Sequence, residues 1–120
     1  AVREMLLPDV GREKGLLAAL ARIRPDAVIC GNDHLAARLL RLLAKAGRRV
    51  PEDIMVTGFD DVRLASLVSP PLTTVHQPIE AIAATAFSCL LRRMADAKLP
   101  PAEINLSATL VVRCSTRQRP

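Results

Sequence analysis

A chain of 120 residues, half of them hydrophobic and 24% charged, is long enough to bury one core and too apolar to stay disordered. No apolar run approaches the ~20 residues of a membrane helix, and the start AVREMLLPD lacks the charged-then-apolar layout of a secretion signal. The net charge of +5 is scattered along helical segments with no Trp or Tyr to stack bases, which describes a solvated surface rather than a nucleic-acid platform.

Residues 2–7 read as a strand, ended by Pro8 and Asp9. After Gly11, the recurrence of Leu16, Leu17, Leu20 and Ile23 predicts an amphipathic helix over residues 12–23, which Pro25 ends. The apolar run 27–30 reads as a buried parallel strand, and Gly31 is expected to let the backbone turn tightly after it. Asn32 or Asp33 then caps a helix over about 34–46, because a short side-chain oxygen accepts a bond from a free amide of the first turn. In that helix Leu35, Leu39, Leu42, Leu43 and Ala46 form one stripe, while Ala36, Ala37, Leu40 and Ala44 widen the apolar arc well beyond ~100°. Such a surplus asks either for burial within the chain's own domain or for a partner.

Gly47 suits a left-handed helix cap, and Pro51 prevents the helix from resuming. The run 54–58 between Pro51 and Gly58 is a short, β-branched strand candidate that ends on Phe59, Asp60 and Asp61. Pro70 and Pro71 stop any helix before a second extended run, 72–76, which leads to Gln77 and a break at Pro78. Residues 79–97 carry the clearest helical periodicity of the chain, ended by Pro100 and Pro101, and a last strand is expected over 106–113 before a frayed tail.

Alternating strands and helices of this kind predict an α/β fold, a doubly wound parallel sheet with right-handed crossovers. In such sheets ligands bind outside the carboxyl ends of the strands. Asn32, Asp60 and Gln77 each stand at or just past such an end, so three polar groups from separate loops can converge on one crevice and suit a polyol. An enzyme is not expected. Asp60 and Asp61 are adjacent and point apart, and no GxSxG, HExxH or glycine-rich phosphate loop is present. His34 and His76 read as scaffold, and Cys30, Cys89 and Cys114 as reduced thiols without metal-ligand spacing, so no metal or cofactor is expected.

The pattern VPEDIMVTGFDD followed by PPLTTVHQP, with PDAVICGNDHLAARLLRLLAKAGRRVP before it and LVVRCST after it, resembles the effector-binding domain of the LacI/GalR family of bacterial transcription regulators. The resemblance covers nearly all of residues 25–116 and implies a fold like that of the periplasmic sugar-binding proteins. It implies that Asn32, Asp60 and Gln77 bind the effector, a sugar or another small metabolite, that Asp33 keeps the helix start in place, and that Asp61 belongs to the turn. It further implies a two-fold homodimer through Ala37, Leu40, Leu64, Leu67 and Val68.

Residues 1–77 would form most of one lobe. Residues 78–120 would be a crossing helix and strand that normally belong to the other lobe, plus the tail. The chain lacks an initiator Met, which fits a piece of a longer protein, and without the rest of the second lobe residues 78–113 should fold back, swap with another copy or pair edge to edge. The implied function is effector sensing in the cytoplasm, with operator DNA reached only through a missing N-terminal head and no membrane partner. The alternative is a periplasmic solute-binding protein of a sugar transporter. Ile79 stands where some family members carry an aromatic, and Phe59 and Phe87 are the only aromatics of the chain.

Overall fold

Helix α2, Asp33–Lys45, holds the centre of the core: Ala36, Leu39, Leu40, Leu42 and Leu43 are all buried. The computed structural model describes residues 13–116, in which α2 is preceded by α1 (Glu13–Ile23) and β1 (Ala27–Ile29) and followed by β2 (Met55–Thr57), α3 (Leu64–Leu67), β3 (Thr74–His76), α4 (Ile79–Ala95) and β4 (Thr109–Val111). The strand expected over 2–7 and the frayed tail lie outside the described residues. Leu20 from α1, Ile54 and Val56 around β2, Ala65 from α3, and Leu72 complete the same cluster.

The wide apolar arc of α2 is therefore taken up largely by its own chain. Leu40, expected on an outward flank, is only 4% exposed, because α1, β2 and α3 all close on this helix and leave its arc little free surface. The helix stops as its sequence predicts. Gly47 takes φ +70°, and its N–H and that of Arg48 return to the carbonyls of Ala44 and Leu43, a Schellman closure. Gly31, by contrast, has φ outside the left-handed region and open space where a Cβ would stand, so its turn does not depend on glycine.

β1 and β2 pair in parallel with Val28 opposite Val56. Parallel bridges from Thr57 to Thr73 and from Asp60 to His76 carry that order toward β3, which pairs antiparallel with β4. The closing residues of the described chain return to this sheet: Ser115 Oγ donates to the Val56 carbonyl at 2.6 Å and accepts from Thr73 N at 2.8 Å. Residues 113–116 thus hydrogen-bond with β2 and the 71–73 segment.

α4 behaves otherwise. None of its residues is buried, and Ile79, Phe87 and Met94 stay 59%, 61% and 74% exposed. It does not fold back on the core, which is why the radius of gyration is 18.4 Å against roughly 14 Å for a compact chain of this length. Its following strand, β4, pairs antiparallel with β3 of the same chain. The helix stops at Ala95, short of the expected 97, because Asp96 leaves helical geometry and its Oδ1 accepts from Lys98 N at 2.9 Å.

Candidate functional site

Three chain segments meet at the carboxyl ends of β1, β2 and β3. Main-chain bonds join them: Asp33 N donates to Phe59 O, Gly58 N to Thr73 O and Asp60 N to Val75 O, each at 2.9 Å. The position follows from parallel pairing, since strands that run the same way release their loops on one side. Asn32, Asp60 and Gln77 are all half-buried at these ends.

Asp60 and Gln77 are brought into direct contact, with Gln77 Nε2 donating to Asp60 Oδ1 at 2.7 Å. Asn32 makes no hydrogen bond to either side chain. It is the N-cap of α2, its Oδ1 accepting from Leu35 N at 2.9 Å, so the cap that sequence left open between two residues belongs to the asparagine. Among the described residues the amide Nδ2 of Asn32, Oδ2 of Asp60 and Oε1 of Gln77 have no partner. The three residues therefore offer one unpaired amide NH2 group and two unpaired acceptor oxygens.

Asp33, the first residue of α2, bonds to two other segments. It is fully buried, and its two oxygens reach away from the helix start: Oδ1 accepts from Thr74 Oγ1 at 2.6 Å and Oδ2 from Val62 N at 2.8 Å. Asp61 is turned outward from Asp60, with Oδ1 on Arg113 Nη2 at 2.7 Å and Oδ2 facing His76 Nδ1 at 3.1 Å. Arg113 also donates to the Leu72 carbonyl at 2.8 Å, so this network ties the turn to β3 and β4. The two aspartates diverge as adjacent residues should, and no converging acid/base pair is formed.

The backbone here carries a feature invisible to sequence. Asp60 and Asp61 have φ of +103° and +54°, a region that non-glycine residues enter at a cost of about 1–3 kcal/mol each. The bonds of Asp60 N to Val75 O and of Val62 N to Asp33 hold the turn in that conformation. Thr74, Ser115 and Arg113 were likewise missed as parts of the site's support. The TT pair beside an apolar run was their only local trace, and it names no partner.

A groove of about 280 Å³ lies elsewhere, between α1, the end of α2 and the start of β2, lined by Leu17, Leu20, Leu43 and Ile54 with Arg48 at its polar edge. It stands at the amino ends of the strands and lacks the converging polar groups of the loop side. Cys30 is buried, which pushes its thiol up to about 11 and keeps it unreactive near neutral pH.

Comparison with known proteins agrees with the fold. The model of the periplasmic binding protein-like domain matches residues 2–116. The HTH-type transcriptional repressor PurR of Vibrio vulnificus is 42% identical over 95 residues, which is 79% of this chain and 28% of that protein. Among solved structures, the transcriptional regulator CelR–cellobiose complex superimposes with a TM-score of 0.78 at 35% identity, over 86% of this chain and 31% of the other. A LacI family transcriptional regulator from Arthrobacter sp. FB24 in complex with lactose gives 0.75 at 32% identity, over 88% and 41%. The chain spans about a quarter of the length of the curated relatives it matches. These relatives are regulators, which disfavours the transport receptor weighed from sequence. On the family match over residues 2–116, the chain belongs to the periplasmic binding protein-like domain family, in the form that makes the effector-binding domain of LacI/GalR-type transcriptional regulators.

Proposed function

We propose that this chain is the part of a LacI/GalR-type regulator that senses a sugar or another small metabolite, with Asn32, Asp60 and Gln77 as the residues that hold it. The observation that carries this reading is the 2.7 Å bond between Gln77 and Asp60, which preorganises two polar side chains from different strands beside Asn32. An unpaired amide NH2 group and two acceptor oxygens suit vicinal hydroxyls, each of which both donates and accepts. Cellobiose and lactose, named for the two structural neighbours, are polyols of this class. The chemistry is recognition without bond-making: among the described residues the hydroxyl that bonds a carboxylate, Thr74 on Asp33, is fully buried with its partner.

In this reading the protein works in the cytoplasm as a homodimer, and operator DNA is contacted by a region outside this chain. Effector binding shifts the dimer between arrangements that fit the operator differently. Residues 79–112 would lie with the second lobe of the binding domain, against which the exposed face of α4 would pack. The subunit contact would centre on Leu67, 69% exposed, with Ala37, Leu64 and Val68 beside it, while buried Leu40 supports it from within. Leu67→Lys should halve the sedimenting mass while the circular dichroism of each subunit stays that of the folded chain. An unchanged mass would remove this face from the interface.

The site itself is tested by nitrogen-15 NMR titration with cellobiose, lactose, ribose and a purine base, a method that registers millimolar binding. Shifts should appear at Asn32, Asp60 and Gln77 with at least one of them. Asp60→Ala should weaken that binding roughly 10- to 100-fold, the range expected for losing a hydrogen bond to a charged group. Shifts confined to the groove of Leu17 and Ile54, or none with any probe, would overturn the assignment.

A further inference from the structure

Asp33 carries more than a helix start requires. Asn32 already caps α2, and an acid that only complemented the helix dipole would remain at the surface, in water. Asp33 is instead fully buried, without a cation partner among the described residues, and spends both oxygens on bonds to residues 29 and 41 positions away. Burying a carboxylate is costly unless hydrogen bonds replace its water, and an apolar side chain would have filled the space without that cost.

The two bonds have a common geometry. Val62 N directly follows Asp60 and Asp61, the two residues with positive φ, so one oxygen holds the end of that turn. Thr74 opens β3, three residues before Gln77, so the other oxygen fixes the strand that delivers the glutamine. Asn32 is the neighbouring residue in the chain, and Asp33 N itself donates to Phe59 O. One buried carboxylate thus touches all three segments that bear the polar groups.

We propose that Asp33 is the positioning residue of the site: its carboxylate sets the turn at Asp60 against the strand ending in Gln77, and so builds the Asp60–Gln77 pair beside Asn32. The inference rests on the reading of that trio as the effector site. Its test uses no ligand, so its failure and the failure of that reading are separate results.

The readout is the side-chain amide resonance of Gln77 and the backbone amides of Asp60 and Val62 in the full 120-residue chain. Thr74→Val removes the hydroxyl at constant shape, and Thr74→Ser keeps it. Asp33→Ala removes both acceptors, whereas Asp33→Asn can still accept from Val62 N and donate to Thr74 Oγ1. Thr74→Val and Asp33→Ala should move the Gln77 side-chain amide and the Asp60 amide, and Asp33→Ala should speed exchange at Val62 roughly tenfold or more. Thr74→Ser and Asp33→Asn should restore the wild-type pattern. Changes confined to Thr74 and Val62, with Asp60 and Gln77 unmoved, would overturn the proposal. So would global unfolding of Thr74→Val, which would assign the bond to holding the sheet together.

Discussion

Gly58→Ala is expected to lose about 3 kcal/mol of stability, the sum of ordinary overpacking and one charge-assisted hydrogen bond. A Cβ at this position would collide with Asp33 Oδ1, stand 2.8 Å from Leu72 Cδ2 and lie 3.2 Å from Asp33 Cα. Neither side chain can simply swing aside. Leu72 is fully buried, and Asp33 is bonded at both oxygens, so relief requires breaking its bond to Thr74 or shifting the start of α2. For a domain of this size the loss corresponds to a drop in Tm of roughly 10 °C. Gly31→Ala is the matched control: nothing lies within 4 Å of its added Cβ, and its Tm should hardly change. Equal Tm values for both variants would mean that Asp33 is not packed against the β2 terminus.

Leu39→Ala should cost a further class of energy, about 3 kcal/mol from lost transfer and an unfilled cavity, within the usual 2–5 kcal/mol range. Leu39 is 2% exposed and belongs to the cluster that includes Leu20, Leu43, Ile54, Val56 and Leu72. Elements α1, β2 and α3 all rest on this helix, so no single neighbour can collapse to fill the gap. Urea unfolding should show the midpoint falling with little change in slope. Lys45→Ala, at an exposed position near the end of the same helix, should stay within about 0.5 kcal/mol. If Leu39→Ala matched it, α2 would not be the centre of the core.

Much of this organisation was legible residue by residue. The periodicity of Leu16, Leu20 and Ile23, of Leu35, Leu39 and Leu43, and of Ile79, Ile82, Phe87 and Leu90 located α1, α2 and α4 within one or two residues. Gly47 was recognisable as a helix stop because the left-handed conformation is a property of one residue. The placement of Asn32, Asp60 and Gln77 at strand ends was also legible, since it follows from where each short β-branched run stops.

Leu40 was a different case. Helical periodicity puts it on an apolar flank but cannot say whether that flank meets α3 or a second subunit, and the chain itself buries it. Asp33 is the same kind of case in polar form. Its sequence position suggests a cap, whereas its bonds to Val62 and Thr74 depend on where two distant segments come to rest. Ser115 bonds to Val56 across 59 residues, and nothing local to either end announces the pair.

Readable within a few residues, then, were helix phase, the helix stop at Gly47, strand ends and the family pattern from VPEDIMVTGFDD to PPLTTVHQP. The tertiary structure alone decided which face of α2 is core, which aspartate binds outward and which is buried, and how residues 113–116 return to the sheet. The reason is physical. Local signals reflect the conformational preferences of adjacent residues, while a bond spanning 29 to 59 residues exists only after hydrophobic packing has brought the segments together.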